Sequence, residues 1–152
     1  MRRYQATGFI PINFPPARRN LRAAVVAIVK GDALHDNVAG RLTNATTSFA
    51  ATLMGIAAAD CDNDPEASLE AEYYPIDPNT RYIVPVGNAL ITETAIGTVI
   101  NLNTTCNTVT TGTTVAEGYG FLVEDIDVST EAVAANTYGY AIGRIIQVGV
   151  QA

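Results

Sequence analysis

"ALITETAIGTVINLNTTCNTVTTGT", residues 89–113, is the stretch that decides the fold class. Valine, isoleucine and threonine dominate it, and polar and apolar residues alternate through much of its length. Branched Cβ atoms pack well on a pleated surface, so this composition favours β-strands. The flanking stretches "RYIVPVG" (81–87) and "GYGFLVEDIDVS" (118–129) have the same character. The centre of the chain is therefore predicted to form antiparallel strands.

Glycine-led turns extend this pattern to the whole chain of 152 residues. Short strands separated by regular turns are typical of a small barrel or sandwich. We predict an all-β fold, a small antiparallel β-barrel or β-tulip/sandwich, with an extended N-terminal arm (1–22) and one domain (23–152). At most one short helix is expected, at Pro65 to Ala71, because Asp64 suits an N-cap and Pro65 the first helical position.

One tetrapeptide occurs twice in nearly the same form. "GDAL" (31–34) returns as "GNAL" (87–90), and each copy leads to a second glycine and a strand rich in Thr and Asn. The similarity predicts an internal quasi-repeat, 31–57 and 87–144, built from a strand, a Gly-Asx turn and a hairpin. Chance similarity over four residues is the competing explanation.

Charge divides the chain into a basic arm and an acidic body. Five arginines lie in residues 1–22 and no acid precedes Asp32, whereas the rest of the chain has 4 basic and 15 acidic residues, 4 − 15 = −11. Such an arm can dock on an acidic surface, while the acidic body would repel nucleic acid. An alternative is that the segment packs on its own domain. The candidate docking residues are Arg2, Arg3, Phe9, Ile12, Phe14, Arg18, Arg19 and Arg22.

The composition also predicts a surface that another protein covers. Only 16% of the residues are charged, against roughly 25% in an ordinary soluble domain. A surface with so few charged residues is typical of a protein whose surface is partly covered by other proteins.

Asp32, His35 and Asp36 form the strongest candidate for chemistry. Asp and His ligate metals, and an Asp can orient a His for acid–base work. The alternative is a turn in which Asp32 bonds to its own backbone. No HExxH, GxSxG, GxxxxGK[ST] or GxGxxG pattern supports an enzyme. We therefore predict no catalytic residue, no metal and no cofactor.

Two further patterns leave questions open. Asp60, Asp62 and Asp64 resemble the start of a calcium loop, but Pro65 and Ala71 occupy the positions where such a loop needs Gly and Glu. An acidic loop is the expected structure, and calcium binding there stays open. Cys61 and Cys106 lack metal-ligand spacing, and we expect two free thiols in a reducing compartment or one disulfide outside a cell.

The N-terminus lacks the features of a secretory signal. Arg2 and Arg3 are not followed by an apolar core, and "AAVVAIV" (23–29) is far shorter than the roughly 20 residues that span a bilayer. We expect a protein that is made in a cytoplasm and has no membrane partner.

"AIVKGDAL", "LMGIAAAD", "VGNALI…GTVI" and "ANTYGYAIGRIIQ", taken in order, resemble the small capsid decoration (cementing) proteins of tailed phages. The resemblance covers roughly residues 25–147. It implies a compact β-body on the outer surface of a virion, often a trimer, whose N-terminal arm grips the shell. The implied partners are the major capsid protein and neighbouring copies of the chain.

Two other functions remain as alternatives. One is a subunit of a different assembly, such as a head fibre base, a tail tube or a filament. The other is a small metal-dependent enzyme or carbohydrate-binding module around His35, for which the tyrosines would have to supply the sugar contacts.

Overall fold

Eleven β-strands make up most of the described chain. The computed structural model describes residues 8–13, 15–23, 27–36, 40–44, 53–61, 70–103 and 105–149. One turn of 3-10 helix (Glu93–Ala95) follows the seventh strand, and one short helix, α1 (Thr130–Ala135), follows the tenth. The strands are β1 (Ile10–Pro11), β2 (Arg19–Arg22), β3 (Ala33–Asp36), β4 (Leu42–Asn44), β5 (Leu53–Ala57), β6 (Glu70–Pro75), β7 (Tyr82–Pro85), β8 (Val99–Leu102), β9 (Val109–Thr114), β10 (Gly118–Asp127) and β11 (Tyr140–Val148).

The strands form two antiparallel sheets. Sheet A has the order β1-β7-β11-β10-β8-β9, and sheet B has the order β2-β6-β5-β3-β4. The longest ladder joins β10 to β11, from Gly118 opposite Val148 to Asp127 opposite Tyr140. The predicted all-β class is confirmed, and over the described residues the sheets form a sandwich and not a closed barrel.

The main core lies between the two sheets. Strand alternation turns Phe121 and Val123 of β10 inward, where both are fully buried. The ring of Phe9 packs edge-on against two other rings. Its centroid lies 5.8 Å from that of Phe121 and 6.0 Å from that of Tyr82. Burying one large apolar side chain contributes roughly 1.5–3 kcal/mol. The cluster also contains Ala33, Leu53, Ile56, Val84, Val86, Ile91, Ile100, Leu102, Val109, Ala141 and Ile145.

Helix α1 covers the outer face of sheet A. Ala132 packs against Ile83, Tyr140 and Ile142. Ser129 caps the helix, because its Oγ accepts a hydrogen bond from the amide of Ala132 at 3.3 Å and so satisfies one of the free amides of the first turn. Within the described residues there is one short α-helix, at 130–135, where none was predicted.

The helical turn expected at Pro65 to Ala71 is wrong for its last two residues. Glu70 and Ala71 begin β6 and pair with β2. Residues 65–69 lie outside the described residues. Strand pairing supplies Glu70 and Ala71 with partners across the sheet, which a local helical preference cannot match.

A second apolar cluster lies on the far face of sheet B. Leu34, Leu42 and Ala71 point away from sheet A and meet Ile28 and Cys61, which belong to the segments that cross this face. Sheet B is therefore buried on both faces, and each face has its own core. Residues of β3 divide between the two, since Ala33 faces the main core and Leu34 the second one.

The described part of the arm belongs to both sheets. Strand β1 pairs with β7 at the edge of sheet A, and β2 pairs with β6 at the edge of sheet B. Phe9 is buried in the main core, so it anchors the segment to its own domain and is not exposed for docking. Arg2, Arg3 and Phe14, also named as docking residues, lie outside the described residues.

The two copies of the suggested repeat have different structures. Gly31 has φ +96° and leads into strand β3, whereas Gly87 has no positive φ and leads into a bend and the 3-10 turn. Within the fully described stretch 87–97 there is no strand. Only the second glycines agree, since Gly40 and Gly97 both adopt positive φ before a strand. The two glycine turns therefore differ locally, and the quasi-repeat over 31–57 and 87–144 stays a prediction.

Candidate functional site

The Asp32, His35 and Asp36 group does not converge on one point. Asp32 lies in the turn before β3 and is 3% exposed, while His35 and Asp36 are consecutive residues of β3 and so point to opposite faces. His35 is opposite Thr43 of β4 and Leu53 of β5. Among the described residues, no three His, Cys, Asp or Glu side chains are grouped to hold a metal ion.

Asp32 instead organises the turn in which it lies. Its carboxylate Oδ2 accepts a hydrogen bond from the Val29 amide at 2.9 Å, and the Asp32 amide donates to the Val29 carbonyl at 3.0 Å. The Asn44 side chain donates to the same Oδ2 at 3.4 Å. The predicted bond from Asp32 to its local backbone is present, and a buried carboxylate needs such donors to offset its lost hydration.

Cys106 completes the surroundings of this carboxylate. The thiol hydrogen-bonds to Asp32, and the Ala33 amide donates to the Cys106 carbonyl at 2.8 Å. Burial, together with the negative charge of Asp32, raises the pKa of Cys106 to about 12. A thiol that stays protonated is a poor nucleophile, so Cys106 acts as a structural donor that ties the β8–β9 loop to sheet B.

The other expected acidic and sulfur sites can be placed in part. Asp60 Oδ1 accepts a hydrogen bond from the Lys30 amide at 2.8 Å, whereas Asp62 and Asp64 of the suggested calcium loop lie outside the described residues. Cys61 and Cys106 are both free thiols, and Cys61 is buried. The expected pair of free thiols is present in the structure.

Glu124 forms ion pairs with two arginines, Arg81 just before β7 and Arg144 in β11. Its carboxylate lies 3.2 Å from Arg81 Nε and 3.3 Å from Arg144 Nε, and Arg144 Nη1 donates to the Pro78 carbonyl at 3.2 Å. The groups are partly exposed, so each pair contributes only about 0–1 kcal/mol. The negative charge of Glu124 is thus balanced by these arginines, while Asp125 is exposed.

Residues 12–13 and 15–20, which we call the arm strip, form an exposed extended segment held at both ends. The Ile12 amide donates to the Arg81 carbonyl at 2.9 Å, and the Asn13 side chain bonds to both Arg81 and Asn79. The far end enters β2, where Arg19 is opposite Tyr73. Of the described residues between these ends, all except Pro16 are exposed.

The arginines of the arm strip differ in their partners. Arg18 Nη1 lies 2.8 Å from Glu72 Oε1, and its guanidinium stacks 5.4 Å from the centre of the Tyr74 ring. The hydrogen bonds to Glu72 and Tyr74 raise the pKa of Arg18 above its usual value. Arg19 is exposed, and Arg22 continues the same strand. Arg18 is therefore occupied within its own domain, and Arg19 is presented to solvent.

Four large apolar side chains are exposed at the opposite end of sheet A, which we call the apolar end. Leu90 is 52% exposed, Ile96 43%, Val128 42% and Tyr138 36%. The Ile91 amide donates to the Tyr138 carbonyl at 3.1 Å, and a Cβ placed on Gly139 would lie 2.9 Å from Val128, so these segments are in contact. Leu90, Ala95 and five threonines line a surface depression of about 220 Å³. Ile96 is the next residue after Ala95 in the chain.

The apolar end carries negative charge only. The segments that form it, 88–98 and 125–139, contain four carboxylates and no Lys, Arg or His. Glu93 and Glu131 are exposed beside the apolar side chains, and Asp125 and Asp127 lie at the end of β10. A partner surface that fits this end must combine apolar side chains with positive charge.

The arm strip and the apolar end lie at opposite ends of β7. The arm strip begins beside Arg81, just before β7, whereas the Val86 amide bonds to the Gly139 carbonyl just after it. Sequence analysis named the arm but missed Leu90, Val128 and Tyr138. Each of these residues follows or precedes a strand in the sequence, and nothing in the sequence alone shows which strand ends stay uncovered.

No protein-family model matches the chain, and no curated protein matches it. No helix of the described residues has the length and apolar character to cross a membrane.

Proposed function

We propose that this chain is a non-enzymatic structural protein of a virion, which binds the outer surface of a capsid and cements neighbouring capsid subunits. The observation that carries the proposal is the arm strip, an exposed extended segment fixed at both ends to a rigid sandwich. The resemblance to tailed-phage decoration proteins supplies the kind of partner.

A fixed segment suits a cementing role because it is ordered before it binds. Asn13 bridges the arm strip to Asn79 and Arg81, and β2 holds the other end by a ladder to β6. Ordering a loose segment on binding costs free energy at each residue, and a segment that is already extended avoids most of that cost.

Within the arm strip the docking set narrows to two side chains. Ile12 is 37% exposed and offers an apolar contact, and Arg19 offers an exposed positive charge for an acidic patch of the shell. Phe9 serves as the anchor and Arg18 holds Glu72, so both support the strip from within the domain.

Co-sedimentation tests the proposal. The purified chain is mixed with undecorated shells of the phage that encodes it, and separately with soluble capsid protein. We expect binding to shells only, and binding about tenfold weaker or worse for Ile12→Asp and for Arg19→Glu, a loss of at least about 1.4 kcal/mol.

Two variants on other surfaces serve as controls. Val29→Asp and Lys30→Glu make similar changes at exposed positions away from the strip, and they should bind shells as the parent chain does. Failure of the parent chain to bind shells, or rods and rings formed in their absence, would replace this function with that of another assembly subunit.

A further inference from the structure

Among the residues that the structure describes, none covers the large apolar side chains of the apolar end. Leu90, Ile96, Val128 and Tyr138 are four of the six large apolar side chains that are exposed among the described residues. They lie in segments that contact one another, which brings the exposed side chains to the same end of sheet A. Patches of this kind mark protein–protein contacts.

The charge of the apolar end restricts what can cover it. Two apolar ends facing each other would bring four carboxylates of one copy against four of the other, with no cation from these segments between them. Like charges face to face are unfavourable in an interface. A symmetric contact of this end with itself is therefore disfavoured, and a basic partner is required.

The chain itself contains such a partner in its first seven residues. Met1 to Thr7 reads "MRRYQAT", with two arginines, a tyrosine, a methionine and no acid. Gly8, where the described chain begins, is buried against Gly31 and Asn107. Seven extended residues reach at most about 25 Å, which is enough to span to a neighbouring molecule.

We infer that the apolar end is a docking site for a second copy of this chain, and that the basic N-terminal segment Met1–Thr7 of that copy occupies it. Arg2 and Arg3 pair with the carboxylates at Glu93, Asp127 and Glu131, while Met1 and Tyr4 cover the exposed apolar side chains. The contact joins different surfaces of the two copies, so it assembles them head to tail into a ring or a chain. This contact goes beyond capsid binding and does not use the arm strip.

Sedimentation velocity on the full chain tests the inference with two variants. Val128→Glu adds a charge to the apolar end, and Arg2→Glu with Arg3→Glu reverses the charge of the segment. We expect the parent chain to associate, less so at high salt, and each variant to be monomeric. Val29→Glu, at a valine that is 47% exposed on another surface, is the matched control and should associate as the parent does.

Mixing the two variants gives the sharpest result. One copy then retains an intact apolar end and the other an intact segment, so one contact is possible and we expect 1:1 dimers with no larger species. A contact between identical surfaces would give no such rescue. The inference is overturned if the mixture behaves as two monomers, or if Val128→Glu associates normally.

A monomeric parent chain at about 1 mM would also overturn the inference, because contacts weaker than that are not specific associations. If the segment instead covered the apolar end of its own chain, the parent would be monomeric and the Arg2→Glu, Arg3→Glu variant would bind more of a hydrophobic dye. Shell binding is measured separately with Ile12→Asp, so a failure of self-association leaves the capsid proposal standing, and the reverse also holds.

Discussion

Gly31-Asp32-Ala33-Leu34 and Gly87-Asn88-Ala89-Leu90 differ at one side chain and occupy opposite environments. Leu34 is fully buried in the second apolar cluster, on the face of sheet B that points away from sheet A, whereas Leu90 is half-exposed at the apolar end. Asp32 is buried among hydrogen-bond donors, while Asn88 lies on the surface and bonds to Thr111 at the edge of sheet A. Four residues therefore do not determine their own environment; the strands that follow them do.

The reason lies in what each tetrapeptide meets. After Asp32 the chain enters β3, which has β4 and β5 on its two sides and an apolar cluster on each face, so Ala33 and Leu34 are both buried. After Asn88 the chain passes along the edge of sheet A, where the Gly87 amide bonds to the Val109 carbonyl and the Asn88 carboxamide Oδ1 accepts from the Thr111 amide at 3.0 Å. A strand edge offers neighbours on one side only.

Replacing the two leucines should give the largest contrast. Leu34→Ala removes a fully buried side chain and leaves a cavity, so we expect the free energy of unfolding to fall by about 2–5 kcal/mol. Leu90→Ala should change it by about 0.5 kcal/mol or less, because the side chain is half-exposed. Urea unfolding of both variants measures the difference, and equal losses would refute the contrast.

Replacing Asp32 and Asn88 should give a smaller contrast. Asp32→Ala removes the acceptor of the Val29 amide and one of the two acceptors of the Asn44 side chain, which costs about 1–3 kcal/mol of the free energy of unfolding. Asn88→Ala exposes its partner Thr111 to water, and water replaces the lost hydrogen bonds. We therefore expect the free energy of unfolding to fall by less than about 1 kcal/mol. Urea unfolding curves test both predictions. The free energy of unfolding of Asp32→Asn, which keeps one acceptor oxygen, should lie between those of the parent chain and Asp32→Ala.

Alkaline pH should affect the surroundings of Asp32 and spare those of Asn88. The pKa of Cys106 is about 12 in the folded chain, against an ordinary thiol value of 9.0. The unfolded chain therefore loses the thiol proton first, so the stabilisation is complete below pH 9 and is lost as the pH rises toward 12. Thr111, the partner of Asn88, does not titrate in this range.

Unfolding midpoints of the parent chain and of Cys106→Ala, taken between about pH 7 and 11, check this prediction. The advantage of the parent over the variant should shrink as the pH rises through this range. Burial also raises the pKa of Tyr82, so both proteins lose stability, but that loss is common to the two. A constant difference between them would show that the Cys106 thiol does not contribute in the expected way.

Much of the fold followed from local chemistry. Branched residues predicted strands in 81–87, 89–113 and 118–129, and β7, β8, β9 and β10 lie in these stretches, although residues 89–98 contain no strand. The helix at 130–135 was missed, although Ser129 and Glu131 are a cap and a first-turn acid, because it is only six residues long and lies between two strong strands. The Pro65 helix was wrong at Glu70 and Ala71 because pairing with β2 outweighs a helix start signal.

The candidate surfaces divide in the same way. The arm was recognised from its arginines and prolines, which are properties of the sequence. Its attachment was not, since the burial of Phe9 depends on Tyr82 and Phe121, more than 70 residues away along the chain. The apolar end could not be predicted from the sequence, where Leu90 and Val128 are ordinary residues near strand ends. Their exposure depends on how the ends of β7, β10 and β11 are arranged in space.

The sequence by itself determined that this protein is all-β and that its first 22 residues are basic and its body acidic. These are properties of single residues and near neighbours, and local sterics and net charge are sufficient to produce them. Only the tertiary structure decided that Asp32 is buried and Asn88 exposed, and that Leu34 packs in a core while Leu90 faces solvent. Burial depends on residues brought together from distant parts of the chain, and two nearly identical tetrapeptides contain no information about those partners.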